Sequence, residues 1–226
     1  MAGTTRSTKV TRVMVETGRS KIFAAALDWP GWARGAARRG GPEAVLEALD
    51  DYRERYAAVA SVAGVGFRPS RTFDVVETVD GDATTDFGVL NVVAPADSQP
   101  WTAAEAKRQV ALLRAGWAEL DRLAVEASPT LRRGPRGGGR DRDAVVEHVV
   151  GAERAYARKI GVRHPPFDPT DAGAVQALRD DLCAVLLAAR DGEQLEPNGW
   201  TARYAVRRMA WHVLDHVWEI EDKSEG

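Results

Sequence analysis

Near residue 100 the apolar pattern of this 226-residue chain changes period, and that change limits what the chain can fold into. Before it, short apolar runs alternate or are broken by Gly and Pro. After it, apolar residues recur every three to four positions over four long stretches. Alternation places side chains on the two faces of a strand, whereas a 3.6-residue period gathers them on one face of a helix. The expected fold class is therefore α+β, a small strand-rich part followed by an all-helical part.

In the first part, KVTRVMVET (9–17) and KIFAAAL (21–27) read as strands joined by the turn Gly18-Arg19-Ser20. DWPGW (28–32) ends the second strand, and a short third strand is expected near 32–36. Pro42 suits a first helical turn and Gly64 a helix stop. Between them Val45, Leu49, Tyr52 and Tyr56 define one helix. TFDVVETV (72–79) alternates as a strand, giving the order β-β-β-α-β. Residues 81–100 are long for a loop and read as a connection between two domains, 1–80 and 101–226. Within it, TTDFG (84–88) reads equally as a plain surface turn or as a cap over a site.

In the second part, helices are expected at about 102–126, 142–160, 171–190 and 201–222, with Thr201 as an N-cap. Four helices of similar length with moderate connections make a four-helix bundle the expected architecture, with its own core. Trp211, Leu214 and Trp218 read as core or interface.

The candidate chemistry lies with the histidines. Of four in the chain, His212 and His216 lie four residues apart in AWHVLDHVWEIED. That spacing separates them by about 40° around a helix, so both rings can face one atom. They border the apolar arc, with Asp215 and Glu219 behind them as candidate supporting carboxylates. His148 borders the apolar stripe of the helix at 142–160, whereas His164, in a Pro-Pro loop, reads as a surface residue. Three imidazoles plus water form an open metal site of known type. Glu153 and Tyr156 could reach the same place, although Tyr156 lies on the packing stripe.

His148 in VVEHVVGAERAYARKIG and the His212/His216 pair make residues 101–226 resemble the DinB-like four-helix-bundle superfamily. Its members include mycothiol- and bacillithiol-dependent S-transferases and maleylpyruvate isomerases. The resemblance implies a divalent metal held by His148, His212 and His216, with zinc first and nickel or manganese as alternatives. It further implies mycothiol as a possible co-substrate, a small-molecule substrate and a possible homodimer. FAAALDWPGWARGAARRGGPEAVLEALDDY is similar to HicB-like domains in its strand, aspartate-x-proline-glycine turn, short strand and helix, so residues 1–80 read as an accessory domain.

LRRGPRGGGRDRD (131–143) is the one biased segment. It reads either as a solvated connection or as an anion clamp, in which Arg132, Arg136, Arg140 or Arg142 would hold a carboxylate or phosphate beside the metal. A formal net charge of −2 and the absence of interleaved aromatics argue against nucleic acid. No run approaches the roughly 20 apolar residues of a membrane span, and the N-terminus reads as lacking a signal peptide. Cys183, the single cysteine, reads as a buried thiol, and a cytoplasmic setting is expected. A metal-dependent hydrolase and a non-catalytic metal-stabilised binding protein remain alternatives to the transferase.

Overall fold

The computed structural model describes residues 10–134 and 138–224. The fold is mixed α+β. Strands β1 (Thr11–Thr17), β2 (Lys21–Ala26), β3 (Ala33–Ala37) and β4 (Phe73–Asp80) form one sheet in the order β3-β2-β1-β4. β1 pairs antiparallel with β2, and β2 with β3. β4 pairs parallel with β1, with a register shift between Val13 and Met14. A parallel neighbour needs a crossover, which α1 (Gly41–Asp51) and α2 (Arg53–Val62) provide.

The expected single helix over 42–64 is thus two helices that meet at Tyr52. There the backbone tightens, and the Tyr52 N–H donates to Leu49 O at 3.3 Å, three residues back. The side chain is drawn toward the last helix of the chain, where its ring meets Trp218 with centroids 4.8 Å apart.

The middle of the sheet is buried on both faces. Val13, Val15, Ile22, Ala24 and Ala26 face a core with Trp32, Val45, Leu49 and Tyr56. Met14, Phe23, Ala25 and Ala33 pack on Leu90, Ala94 and Trp211. The DWPGW turn is pinned from two sides: the Tyr56 hydroxyl donates to Pro30 O at 2.8 Å, and Trp32 Nε1 donates to Leu49 O at 2.8 Å.

The helical part comprises α4 (Ala103–Glu126), α5 (Arg142–Arg158), α6 (Ala172–Ala188) and α7 (Ala202–Ser224). A reciprocal cap of Thr102 and Glu105 starts α4, and Asp171 caps α6. The expected Thr201 cap is present, its hydroxyl accepting from Tyr204 N at 3.3 Å while donating to Asp97 O at 2.7 Å. α7 lies along α4, where Gly116 permits close approach: a Cβ there would sit 3.0 Å from Val213 Cγ1. α7 also packs on α5, and α6 on α4 and α5. None of the described helices is long and apolar enough to cross a membrane.

One apolar core joins the two parts. A single cluster runs from the sheet, α1 and α2 into α4 and α7, taking in Leu113, Val213, Leu214 and Trp218. Gly31, at φ +91°, lies against α7, where a Cβ would meet Leu214 Cδ1 at 2.6 Å and Ala210 O at 3.0 Å. Arg34 lies over the Tyr52 ring at 3.8 Å and pairs with Asp215 at 3.3 Å.

The connection at 81–100 is built into this arrangement. Asp82 caps the short helix α3 (Ala83–Phe87), and Gly88 closes it in a left-handed conformation. The buried Glu16 carboxylate of β1 accepts from Thr85 Oγ1 at 2.6 Å and from Val92 N at 2.9 Å. Asp86 accepts from Ser20 N at 2.7 Å. The TTDFG turn is thereby tied to β1 and its hairpin, which is the surface-turn alternative and not the cap over the histidines. Further on, Asp97 takes Arg207 Nε of α7 at 2.9 Å, and Arg207 also donates to Val92 O.

Candidate metal centre

α5 and α7 pack side by side, and their contact brings three histidines together. His148 comes from α5, and His212 and His216 from successive turns of α7. One ring nitrogen from each lies within 4.8 Å of the others. His212 Nε2 is 3.3 Å from His148 Nε2. The His216 ring centroid is 4.8 Å from that of His212 and 4.9 Å from that of His148. Among the described residues this group contains these three side chains.

Burial grades across the site. His212 is buried, while His148 and His216 retain some exposure. Burial lowers the His212 pKa to about 2, helped by the neighbouring His216, Arg208 and His148. His148 is lowered too, first by burial and then by His216 and Arg140. Both rings are therefore neutral near pH 7, the state in which imidazole coordinates a metal.

Glu219 sets the remaining ring. His216 Nδ1 lies 2.7 Å from Glu219 Oε2, three residues on along α7. This contact occupies Nδ1 and leaves Nε2 as the free nitrogen of the ring, as in a carboxylate–histidine–metal arrangement. The contact with His216, reinforced by Lys223, holds the Glu219 carboxyl down at about 2. Asp215, the other expected supporting carboxylate, instead meets Arg34 of β3 at 3.3 Å. It lies 100° around the helix from His216, on the side that faces the sheet.

The arginine segment divides. Arg132 donates to Asp222 O at 3.0 Å and so fastens the segment to the end of α7. Arg142 donates to Ala127 O at 2.6 Å, closing the end of α4, and to Asp143 at 2.8 Å. Arg140 is exposed, and its charge acts on both His148 and His212. Arg136 lies outside the described residues. Of the expected clamp, Arg140 has the clearest electrostatic link to the histidines.

Glu153 does not join the histidines. It is buried beside Arg179 of α6, which donates to it through Nε at 3.1 Å and reaches Asp121 of α4 at 2.9 Å. Cys183 is buried, and burial pushes its thiol up to about 11, which makes it a poor nucleophile. His164 pairs with Asp181 at 2.8 Å, away from the triad on the α5–α6 connection.

Tyr156, unlike Glu153, does reach the site: its ring meets His212 edge-on with centroids 5.6 Å apart and also packs on Trp200, so it is both neighbour and packing. Arg208 was less apparent from sequence. Arg208 lies over Tyr156 and Trp211. The signal for Arg208 was the same four-residue step as the histidine pair: Tyr204, Arg208, His212 and His216 share one face of α7. Comparison with protein-family models, with curated proteins and with solved structures finds no match to this chain.

The titration of His212 has a measurable consequence. The folded chain holds the ring neutral, whereas the unfolded chain protonates it below its ordinary value of 6.5. Stability contributed by the neutral ring is thus complete above that value and declines as pH falls toward about 2. For metal-free protein, the unfolding free energies obtained from urea titrations at pH 7.5 and 5.5 are expected to differ by about 1.4 kcal/mol from this group. His212→Leu should flatten that dependence, and an unchanged slope would contradict the shift.

Proposed function

We propose that this chain is a divalent-metal-dependent enzyme of the DinB-like type, a four-helix bundle carrying a HicB-like accessory domain. On this reading it transfers a low-molecular-weight thiol such as mycothiol, or uses one to isomerise a small-molecule substrate. The observation that carries the proposal is the convergence of three imidazoles from two helices, two kept neutral by burial and the third oriented by Glu219. The donor set fits zinc or nickel better than manganese, because imidazole suits the former. Three protein donors leave room in a tetrahedral shell for an exogenous ligand.

When bound, such an ion supplies Lewis acidity, making a thiol or water acidic enough to react near neutral pH. The chain's own residues hold and orient that ion. His148, His212 and His216 supply nitrogen donors, Glu219 fixes the His216 ring, and Tyr156 walls one side of His212. Cys183, buried with a raised pKa, favours a nucleophile that arrives with a co-substrate. A cytoplasmic setting and a homodimer accord with this reading.

A hydrolase that uses water in the same position is the second reading, favoured by the same open donor set. Titrating cobalt-loaded protein with mycothiol separates the two. The proposal expects proton release and a new sulfur-to-cobalt absorption band. A silent titration together with cleavage of esters or amides would replace the transferase by the hydrolase. Silence in both assays would leave a metal-stabilised binding protein.

A further inference from the structure

α7 carries three arginines between Arg203 and Arg208, and two of them have carboxylate partners. Arg203 reaches Glu105 at 3.3 Å, and Arg207 is held by Asp97. Arg208 forms no ion pair among the described residues; its polar side-chain neighbour is the Tyr156 hydroxyl, and its Nη1, like that of Arg207, is buried without a hydrogen-bond partner. Its guanidinium rests over the rings of Trp211, at 4.7 Å, and Tyr156, at 5.2 Å. Both of those rings adjoin His212, with centroids 6.2 and 5.6 Å away. Arg208 precedes His212 by four residues, so its Cα lies one turn, about 6 Å, along the same face.

A buried donor without a partner is costly, and a guanidinium is a fork suited to carboxylate. Of the other candidate anion ligands near the triad, Arg132 and Arg142 already spend donors on backbone carbonyls, and Arg140 is exposed, where water weakens its hold on an anion. We infer that Arg208 anchors a carboxylate on the substrate, one helical turn from the three-histidine centre. The inference rests on the metal reading above and adds the substrate class: a small molecule bearing a carboxylate a short spacer away from its reacting or coordinating group. The Trp211 and Tyr156 rings hold the guanidinium in place before substrate arrives, which limits the ordering cost of binding.

Two chelators test this on the full chain loaded with cobalt, with cobalt stoichiometry measured for each variant. Succinic acid monohydroxamate carries a terminal carboxylate, and butyrohydroxamate is its neutral counterpart. Dissociation constants are read from the cobalt spectrum and need no turnover. The wild type is expected to bind the carboxylate form about tenfold or more tighter, the range of a charge-assisted hydrogen bond. Arg208→Gln should keep its cobalt and its butyrohydroxamate affinity but lose the preference, and Arg208→Lys should keep part of it. Equal affinities in the wild type, or a preference that survives Arg208→Gln at full cobalt content, would overturn the anchor while leaving the metal reading intact. If neither chelator alters the spectrum of the cobalt-loaded wild type, the centre has no open position, and the proposed function falls together with the anchor.

Discussion

Asp97→Ala is expected to cost about 3–5 kcal/mol of stability, the range for removing one partner of a buried ion pair. Asp97 and Arg207 are both nearly inaccessible, at 3% and 5% exposure. Without the carboxylate, the guanidinium would keep Val92 O at 2.9 Å as its polar contact, and its charge would be uncompensated. Asp97 also accepts from Ala94 N at 2.8 Å, so the turn that carries it would loosen as well. Urea unfolding gives the number. The double change Asp97→Ala with Arg207→Met should lose less than Asp97→Ala alone, because an apolar side chain leaves no stranded charge. A single-mutant loss below about 1 kcal/mol would mean that water reaches Arg207, and that the connection is not fastened to α7 in this way.

The second large effect concerns residues 101–226 on their own. In the whole chain, Trp211 meets Phe23 edge-on with centroids 6.2 Å apart, Trp218 meets Tyr52, and Leu214 lies under Gly31. These cover one side of α7 and belong to cores shared with the sheet, α1 and α2. Removing residues 1–100 bares two tryptophans and a leucine, each of which contributes roughly 1.5–3 kcal/mol when buried. The fragment is expected to be helical but to bind a hydrophobic dye, self-associate and melt without a sharp transition. A monomeric fragment with a cooperative melt near that of the full chain would show that α4–α7 are sufficient alone.

What the sequence disclosed follows from which interactions are local. The four long helices were legible to within two residues at most ends, because a 3.6-residue apolar period over seventeen or more residues has no competing explanation. The three early strands were legible from alternation and from the GRS and DWPGW turns. The break at Tyr52 was not, because it goes with a tertiary contact to Trp218 on a helix 166 residues away (218 − 52). The order within 81–100 was hidden for the same reason. Glu16, Arg207 and Ser20 hold it through long-range polar bonds that leave no periodic trace.

The candidate site divides along the same line. His212, His216 and Glu219 are related within one helix, so their spacing carried the information. His148 required α5 to lie beside α7, which a border position on an apolar stripe suggested without fixing. Asp215 looked equivalent to Glu219 in sequence, and only the arrival of β3 with Arg34 separates them. Arg132 and Arg142 looked free because the carbonyls they bind, at Asp222 and Ala127, have no sequence signature.

The central claim is that His148, His212 and His216 form one metal centre, and elemental analysis of purified protein tests it most directly. After equilibration with zinc and removal of loosely held ions, the wild type and His164→Ala are expected to hold about one zinc per chain. His148→Ala is expected to lose most of that zinc, with circular dichroism confirming that the helices remain. Equal zinc content in the wild type and in folded His148→Ala would contradict that claim.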